Sequence, residues 1–208
     1  MARYTDAVCR LCRREGRKLF LKGERCDSPK CAINKRNFPP GQHGLGRGKP
    51  SPYALQLREK QRAKRIYGVL ESQFRKTFYE ADRMRGMTGT LMMQLLERRL
   101  DNLVYRLGLA TSRAAARQLA RHGHVLVDGA KVDIPSYRVK PGQAISMKGK
   151  MKEHQNIKNA LERARKHPPL EWLESSPDKA EGRLLAIPER DQIPVELNEQ
   201  LIVELYSK

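Results

Sequence analysis

Between residues 91 and 150 the hydrophobic pattern changes period, and this switch constrains the fold more than any other feature of the chain. Leu91, Leu95, Leu96, Leu100, Leu103, Val104 and Leu107 recur near the helical period. Thr88 is a cap for that run and Gly108 a stop. Asp101 is placed to cap a second helix, which predicts a break near Arg99. The next helix runs from Thr111 or Ser112 to Gly123, with Ala115, Ala116 and Leu119 as its apolar face. Arg113, Arg117 and Arg121 step by four residues and predict one cationic stripe. From His124 onward the pattern is that of strands. His124-Val125-Leu126-Val127 runs into Asp128-Gly129, a pair suited to a two-residue hairpin turn. Tyr137-Arg138-Val139 and Ala144-Ile145-Ser146-Met147 flank a second turn at Pro141-Gly142.

Charge bears on what such a module meets. Residues 91–150 hold eleven Lys/Arg against four Asp/Glu. A charge run by itself is a solvated face, but three arginines on one stripe beside a basic hairpin (Lys131, Arg138, Lys140) suit a phosphate backbone. The whole chain of 208 residues carries a formal charge of +19, which points to a polyanion, nucleic acid first. An anionic membrane is the rival; the sequence has no long apolar span and no lipidation signal. The N-terminus lacks the apolar core of a secretory signal, so a cytosolic, reducing location is expected. The charge is uneven: residues 170–208 carry four basic and nine acidic side chains. That tail is expected to avoid the polyanion and pack on the early helices.

All four cysteines lie near the start, as Cys9-x2-Cys12 and Cys26-x4-Cys31. Two close pairs separated by a loop suit a tetrahedral four-thiolate zinc site, structural rather than catalytic. An iron–sulfur cluster uses the same ligands and is the alternative. A disulfide reading conflicts with the reducing compartment. Arg10, Arg13, Arg14, Arg25 and Lys30 sit among the ligands and are expected to favour ionised sulfur. Residues 32–52 are rich in glycine, proline and cations, and predict an arm that orders on nucleic acid. His43 in this arm reads as an RNA contact or a solvated side chain.

Ser51-Pro52 predicts a helix start, with helices over about 53–66 and 69–85. Arg58, Arg62 and Arg65 neighbour one another on the first, and Phe74, Phe78 and Ala81 form a core stripe on the second. A further helix is expected at 155–167, with Ile157, Leu161 and Ala164 facing in. Trp172 is expected in the core, 175–183 as a loop, and 201–206 as a strand or a short helix.

Several motifs together resemble the family of small-subunit ribosomal protein four, in its zinc-carrying bacterial form. They are Ala2-Arg3-Tyr4, the four cysteines, Pro39-Pro40-Gly41-Gln42-His43-Gly44, and Glu97-Arg98-Arg99-Leu100-Asp101-Asn102-Leu103-Val104-Tyr105-Arg106-Leu107-Gly108. The stretches His122 to Gly129, Asp133 to Tyr137, and Ile193 to Glu204 match too, so the resemblance spans the chain in order. It implies a primary binder of 16S ribosomal RNA at a multi-helix junction of the 5′ domain, nucleating subunit assembly in the cytoplasm. It also implies ribosomal proteins five and three as neighbours, messenger RNA near the entry side, and a contribution with protein five to accuracy. Some members repress their own translation.

The expected architecture is α+β, with a zinc-stapled basic segment at 1–50 and a discontinuous helical domain at 51–97 plus 180–208. The resemblance places an RNA-binding module of helices and a small antiparallel sheet at 98–161, and 162–179 is expected to connect. The RNA-contact set expected is Arg3, Arg10, Arg13, Arg14, Lys35, Arg36, His43, Arg47, Lys49, Arg58, Arg62, Arg65, Arg113, Arg117, Arg121, His122, Lys131 and Lys150. No catalytic residue, membrane partner or small-molecule substrate is expected. Two rival readings are an RNA-modifying enzyme carrying the same module and a zinc-dependent nucleic-acid-binding regulator. The first needs a further catalytic domain, for which no unassigned stretch remains. The second wants a recognition helix and dimer signals, which the sequence lacks.

Overall fold

The computed structural model describes residues 3–46, 49–165 and 170–207. Arg47, one of the expected contacts, lies outside the described residues. The chain divides into two compact units: residues 1–92 with 195–208, and residues 93–194. Among the described residues no helix is long and apolar enough to cross a membrane.

The first unit begins with three short helices that carry the cysteines, α1 (Cys9–Glu15), α2 (Glu24–Asp27) and α3 (Ala32–Lys35). Two longer helices follow, α4 (Pro52–Tyr67) and α5 (Glu71–Asp82). Ser51 caps α4 by accepting the Ala54 N–H at 3.2 Å, and Gly68 ends it in the left-handed conformation at φ 63°. The expected stripe of Phe74, Phe78 and Ala81 is buried. The ambiguous apolar run near the C-terminus is a helix rather than a strand; it is the last of the chain, running Glu199–Tyr206, and Asn198 caps it by accepting the Leu201 N–H. That helix packs along α4. Tyr206 stacks on Phe78 at 4.6 Å between ring centroids, and Gln56 donates to Glu204 at 3.0 Å. The half-buried Tyr206 ring thus lies against three others, Phe74, Phe78 and Tyr79.

The period switch holds the second unit together. Helix α6 (Thr88–Glu97) contains the unit boundary, and α7 (Leu100–Arg106) follows after the break expected near Arg99. The cap differs from expectation: Arg99 holds the N-cap position, while Asp101 sits inside the first turn and accepts both guanidinium nitrogens of Arg99 at 3.0 and 2.7 Å. The segment at Tyr137–Val139 closes this break. Leu100 N–H donates to Tyr137 at 2.8 Å and Val139 N–H to Arg98 at 3.0 Å. Tyr137-Arg138-Val139 therefore serves the helix break and does not form the expected strand against 144–147, apart from an isolated Arg99–Arg138 bridge.

Helix α8 (Arg113–Arg121) is capped by Ser112, whose hydroxyl accepts the Ala115 N–H at 3.2 Å. Strands β1 (Val125–Val127) and β2 (Ala130–Lys131) form the expected hairpin. Asp128 and Gly129 both have positive φ, 49° and 80°, as a two-residue turn of this hand requires. Strand β3 (Ala144–Met147) is followed by α9 (Gly149–Lys152) and α10 (Gln155–Ala164). In α10 the expected Ile157, Leu161 and Ala164 do face in, Ile157 buried, Leu161 packed on the core and Ala164 against Gly108, where a Cβ would collide with it, and Ala160 joins them.

The segment expected as connector and loop completes the sheet. Strands β4 (Leu173–Ser176) and β5 (Glu181–Leu184) form a hairpin, and the antiparallel order is β2-β1-β3-β5-β4. Residues 180–194 therefore belong to the second unit, not to the helical one. In β4 Glu174, Ser175 and Ser176 are all exposed and in β5 only Arg183 is, and β5 comes so close to α7 that a Cβ at Gly182 would collide with Leu107. Trp172 is buried as expected and donates its indole N–H to the Gln192 carbonyl at 3.3 Å. The C-terminal helix, Glu199–Tyr206, is α11 in chain order.

Candidate nucleic-acid interface

In the second unit the charged residues sort into a buried network and an exposed rim. The Glu97 side chain is fully buried; it accepts from Nε and Nη2 of Arg106 at 3.0 and 2.7 Å, and from the Asn102 amide at 2.6 Å. Asn102 passes this order on, its Oδ1 accepting Arg113 Nε at 2.8 Å. Arg113 also lies over the Tyr105 ring at 4.5 Å. Arg117 is 9% exposed and reaches the Asp101 carboxylate at 3.4 Å, the same carboxylate that Arg99 grips. A buried ion pair offsets a desolvation cost of several kcal/mol per ion only with such multiple bonds.

This corrects the expected stripe. Arg113, Arg117 and Arg121 share a helix face, but that face is the one α8 turns toward α7. Arg117 is an internal ion-pair partner, Arg113 is half-buried on Asn102 and Tyr105, and Arg121 alone of the three is exposed. Charge periodicity marks a face without saying whether water or a carboxylate lies in front of it.

The exposed rim forms where α8 ends. Arg121 and His122 stand at the C-terminus of α8, and Gly123 turns the chain at φ 70°. The aliphatic stem of Lys131 lies over Gly123 where a Cβ would stand, which brings the ammonium to this corner. Lys148 N–H donates to the His124 carbonyl at 2.9 Å, fastening the exposed Lys148 and Lys150 beside it. Of the expected contacts, Arg121, His122, Lys131 and Lys150 are thus exposed at one end of this unit. Lys148, exposed, and His124, half-buried, stand at the same corner and were not among the expected contacts. The only available signal in the sequence was the His122-Gly123-His124 doublet, whose turn folds strand and helix ends together.

In the first unit Arg3, Arg10, Arg14, Lys35, Arg36, His43 and Lys49 are exposed. Others are committed within it. The Arg13 Nε donates to the Phe38 carbonyl at 3.0 Å, with the guanidinium 5.0 Å from that ring's centre. Arg58 and Arg65 both bind Glu15, whose side chain is fully buried, and Arg62 binds Glu59. Burial pushes the Glu15 carboxyl up, and Arg65, Arg58, Arg62 and Arg14 oppose it. The three α4 arginines expected on RNA therefore tie the helix to Glu15 of the cysteine segment and to its own turn.

Cys12, Cys26 and Cys31 are buried and Cys9 is half-buried. Burial pushes Cys12 and Cys26 up, a backbone N–H opposes it (from Leu19 and Lys22 respectively), and the other cysteines push the same thiols up again. The surrounding cations expected to favour ionised sulfur are not the leading influence; burial is. The donor set has the chemistry of a thiolate metal site, and Lys22 N–H donates to Cys26 Sγ at 3.3 Å. Among the described residues, however, no group of three or more His, Cys, Asp or Glu side chains is arranged to hold a metal ion.

Residues 3–97 match the family described as ribosomal protein S4/S9 N-terminal domain, and residues 98–145 match the S4 domain. A small ribosomal subunit protein uS4 of Pelotomaculum thermopropionicum is 60% identical over 208 residues, covering all of both chains. The chain belongs to the uS4 family. Further uS4 relatives include one of Alkaliphilus metalliredigens, 60% identical, and one of Pelobacter propionicus, 54% identical, each over the full length of both chains. The S4-domain match begins at Arg98, at the helix break, and covers the buried network of Asp101 and Asn102 and the corner at Gly123. Of the exposed rim, Arg121, His122 and Lys131 fall within the S4-domain match, while Lys148 and Lys150 follow it.

Proposed function

We propose that the chain is a structural, RNA-binding constituent of the small ribosomal subunit, in the cytoplasm, and a primary binder of 16S ribosomal RNA. The observation that carries this reading is identity of 60% to a uS4 protein without a gap in coverage at either end. The exposed rim of Arg121, His122, Lys131, Lys148 and Lys150 supplies the phosphate contacts. The finer reading is a multi-helix junction of the 5′ domain, with proteins five and three as neighbours and messenger RNA near the entry side. It includes nucleation of assembly and a contribution to accuracy with protein five. No turnover is assigned: after the two matched regions, β4 and β5 are used up in the sheet and α11 in packing on α4. RNA and duplex DNA affinities at matched salt test the reading. Preference for folded small-subunit RNA supports it, and equal binding to duplex DNA overturns it.

The N-terminal cysteines are read as one structural zinc site formed by Cys9, Cys12, Cys26 and Cys31, with an iron–sulfur cluster as the rival. The paired spacing and the Lys22 N–H donated to Cys26 Sγ support it. Metal analysis of protein purified without oxygen distinguishes zinc from iron. Cys26→Ser should release the metal and loosen residues 3–31 while the second unit stays folded. Full metal retention in that variant contradicts the assignment.

A further inference from the structure

The second unit contains a cleft of about 230 Å³ beside the basic rim. Its apolar walls include Leu119 of α8, Met151 of α9 and Ile157 of α10. Three imidazoles line it: His122, His124 and His154. The rings of His122 and His124 are 6.1 Å apart and tilted by 52°. His154 accepts the Asn156 N–H on Nδ1 at 3.2 Å, which leaves Nε2–H as a donor. Gln118 and Asn156 also line it.

We infer that this cleft takes one unpaired nucleobase of the bound RNA. The inference rests on the RNA-binding reading of the unit and adds to it a contact with a base. Sequence-dependent RNA recognition works on unstacked bases, which stack on aromatic side chains, histidine included, and are read at their edges. The cleft's lining has the residue types for both: apolar side chains and histidines for the ring, and histidine, glutamine and asparagine for its edge. Its size suits a single base, since it lies below the roughly 300 Å³ at which sites for drug-sized ligands begin. The charge around it fits the phosphates on either side of such a base. Arg121 is next to His122, and Lys148 and Lys150 stand beside His124 and Met151. Glu153, adjacent to His154, is the one acid at that edge in sequence.

The test is chemical probing of small-subunit RNA bound to the full chain, with dimethyl sulfate and carbodiimide reporting the base edges. Two variants are compared with wild type. His124→Ala removes one imidazole. Gln118→Trp, at an exposed position of α8, fills the mouth without touching the core and serves if the first does not fold. The wild-type chain should protect an unpaired base that regains free-RNA reactivity with either variant, with affinity lower by about tenfold, the size of one lost stacking contact. The salt dependence contributed by Arg121 and Lys150 should persist. Unchanged base protection and affinity in both variants overturn the cleft assignment while leaving the RNA reading intact. If a variant instead loses binding of a protein partner and keeps every base protection, the cleft holds a side chain of that partner and the assignment is wrong. Absence of salt-dependent RNA binding by the wild-type chain defeats the RNA reading itself.

Discussion

Glu71 shows how single residues set the stability of the first unit. Burial pushes its carboxyl up, but hydrogen bonds from Lys64, Lys60 and Tyr206 outweigh this and hold it at about 2. Tyr206 is pushed up in turn, first by burial and then by Glu71. A carboxyl depressed on folding contributes stability that is complete above its unfolded value of 4.5 and is lost as pH falls toward about 2. The side chain is 44% exposed, so screening reduces the contribution to about 1 kcal/mol. Glu71→Gln should therefore lower stability at neutral pH by about that amount. The acid-induced loss between pH 4.5 and 2 should shrink, as read by denaturant unfolding at several pH values. An unchanged pH profile contradicts this role. Arg117 makes a separate case. Its guanidinium is buried on Asp101, so Arg117→Gln should cost about 1–3 kcal/mol of unfolding stability and leave the salt slope of RNA binding unaltered. A flattened slope in a fully stable variant would return Arg117 to the RNA.

Among elements, α11 carries the clearest expectation. It packs along α4, and Tyr206 closes over Phe74 and Phe78. Deleting residues 195–208 should raise hydrogen exchange across α4 and α5 and leave the sheet of the second unit protected. Equal protection of α4 and α5 after deletion contradicts the packing. The elements also show which parts of the fold were legible. Helices α4, α5, α7 and α8 and the β1–β2 hairpin follow from period, caps and the Asp128-Gly129 pair, because those are local signals. Strands β4 and β5 were hidden: Leu-Glu-Ser-Ser and Glu-Gly-Arg-Leu are polar, and their pairing partners lie along β3, far away in sequence. Tyr137–Val139 has a strand's composition, but long-range bonds to Arg98 and Leu100 decide its use. Charge and turn position pointed to Arg121, His122, Lys131 and Lys150, and all four are exposed. Arg58, Arg65 and Arg117 were misplaced because the carboxylates that claim them, Glu15 and Asp101, lie on other turns or helices.

Among the described residues, the cations behind the net charge of +19 are divided between internal pairing and exposed positions, and the exposed ones are open to a polyanion. The second unit spends its buried arginines on holding α7 and α8 together, which fixes the corner at Gly123 where the exposed cations meet. Titration of small-subunit RNA at several salt concentrations tests this division most directly, comparing wild type with the triple variant Arg121→Gln, Lys131→Gln, Lys150→Gln. One phosphate contact per cation predicts a slope flatter by about two to three units, with unfolding stability retained. A wild-type slope in a folded triple variant would contradict the account and move the interface away from the end of α8.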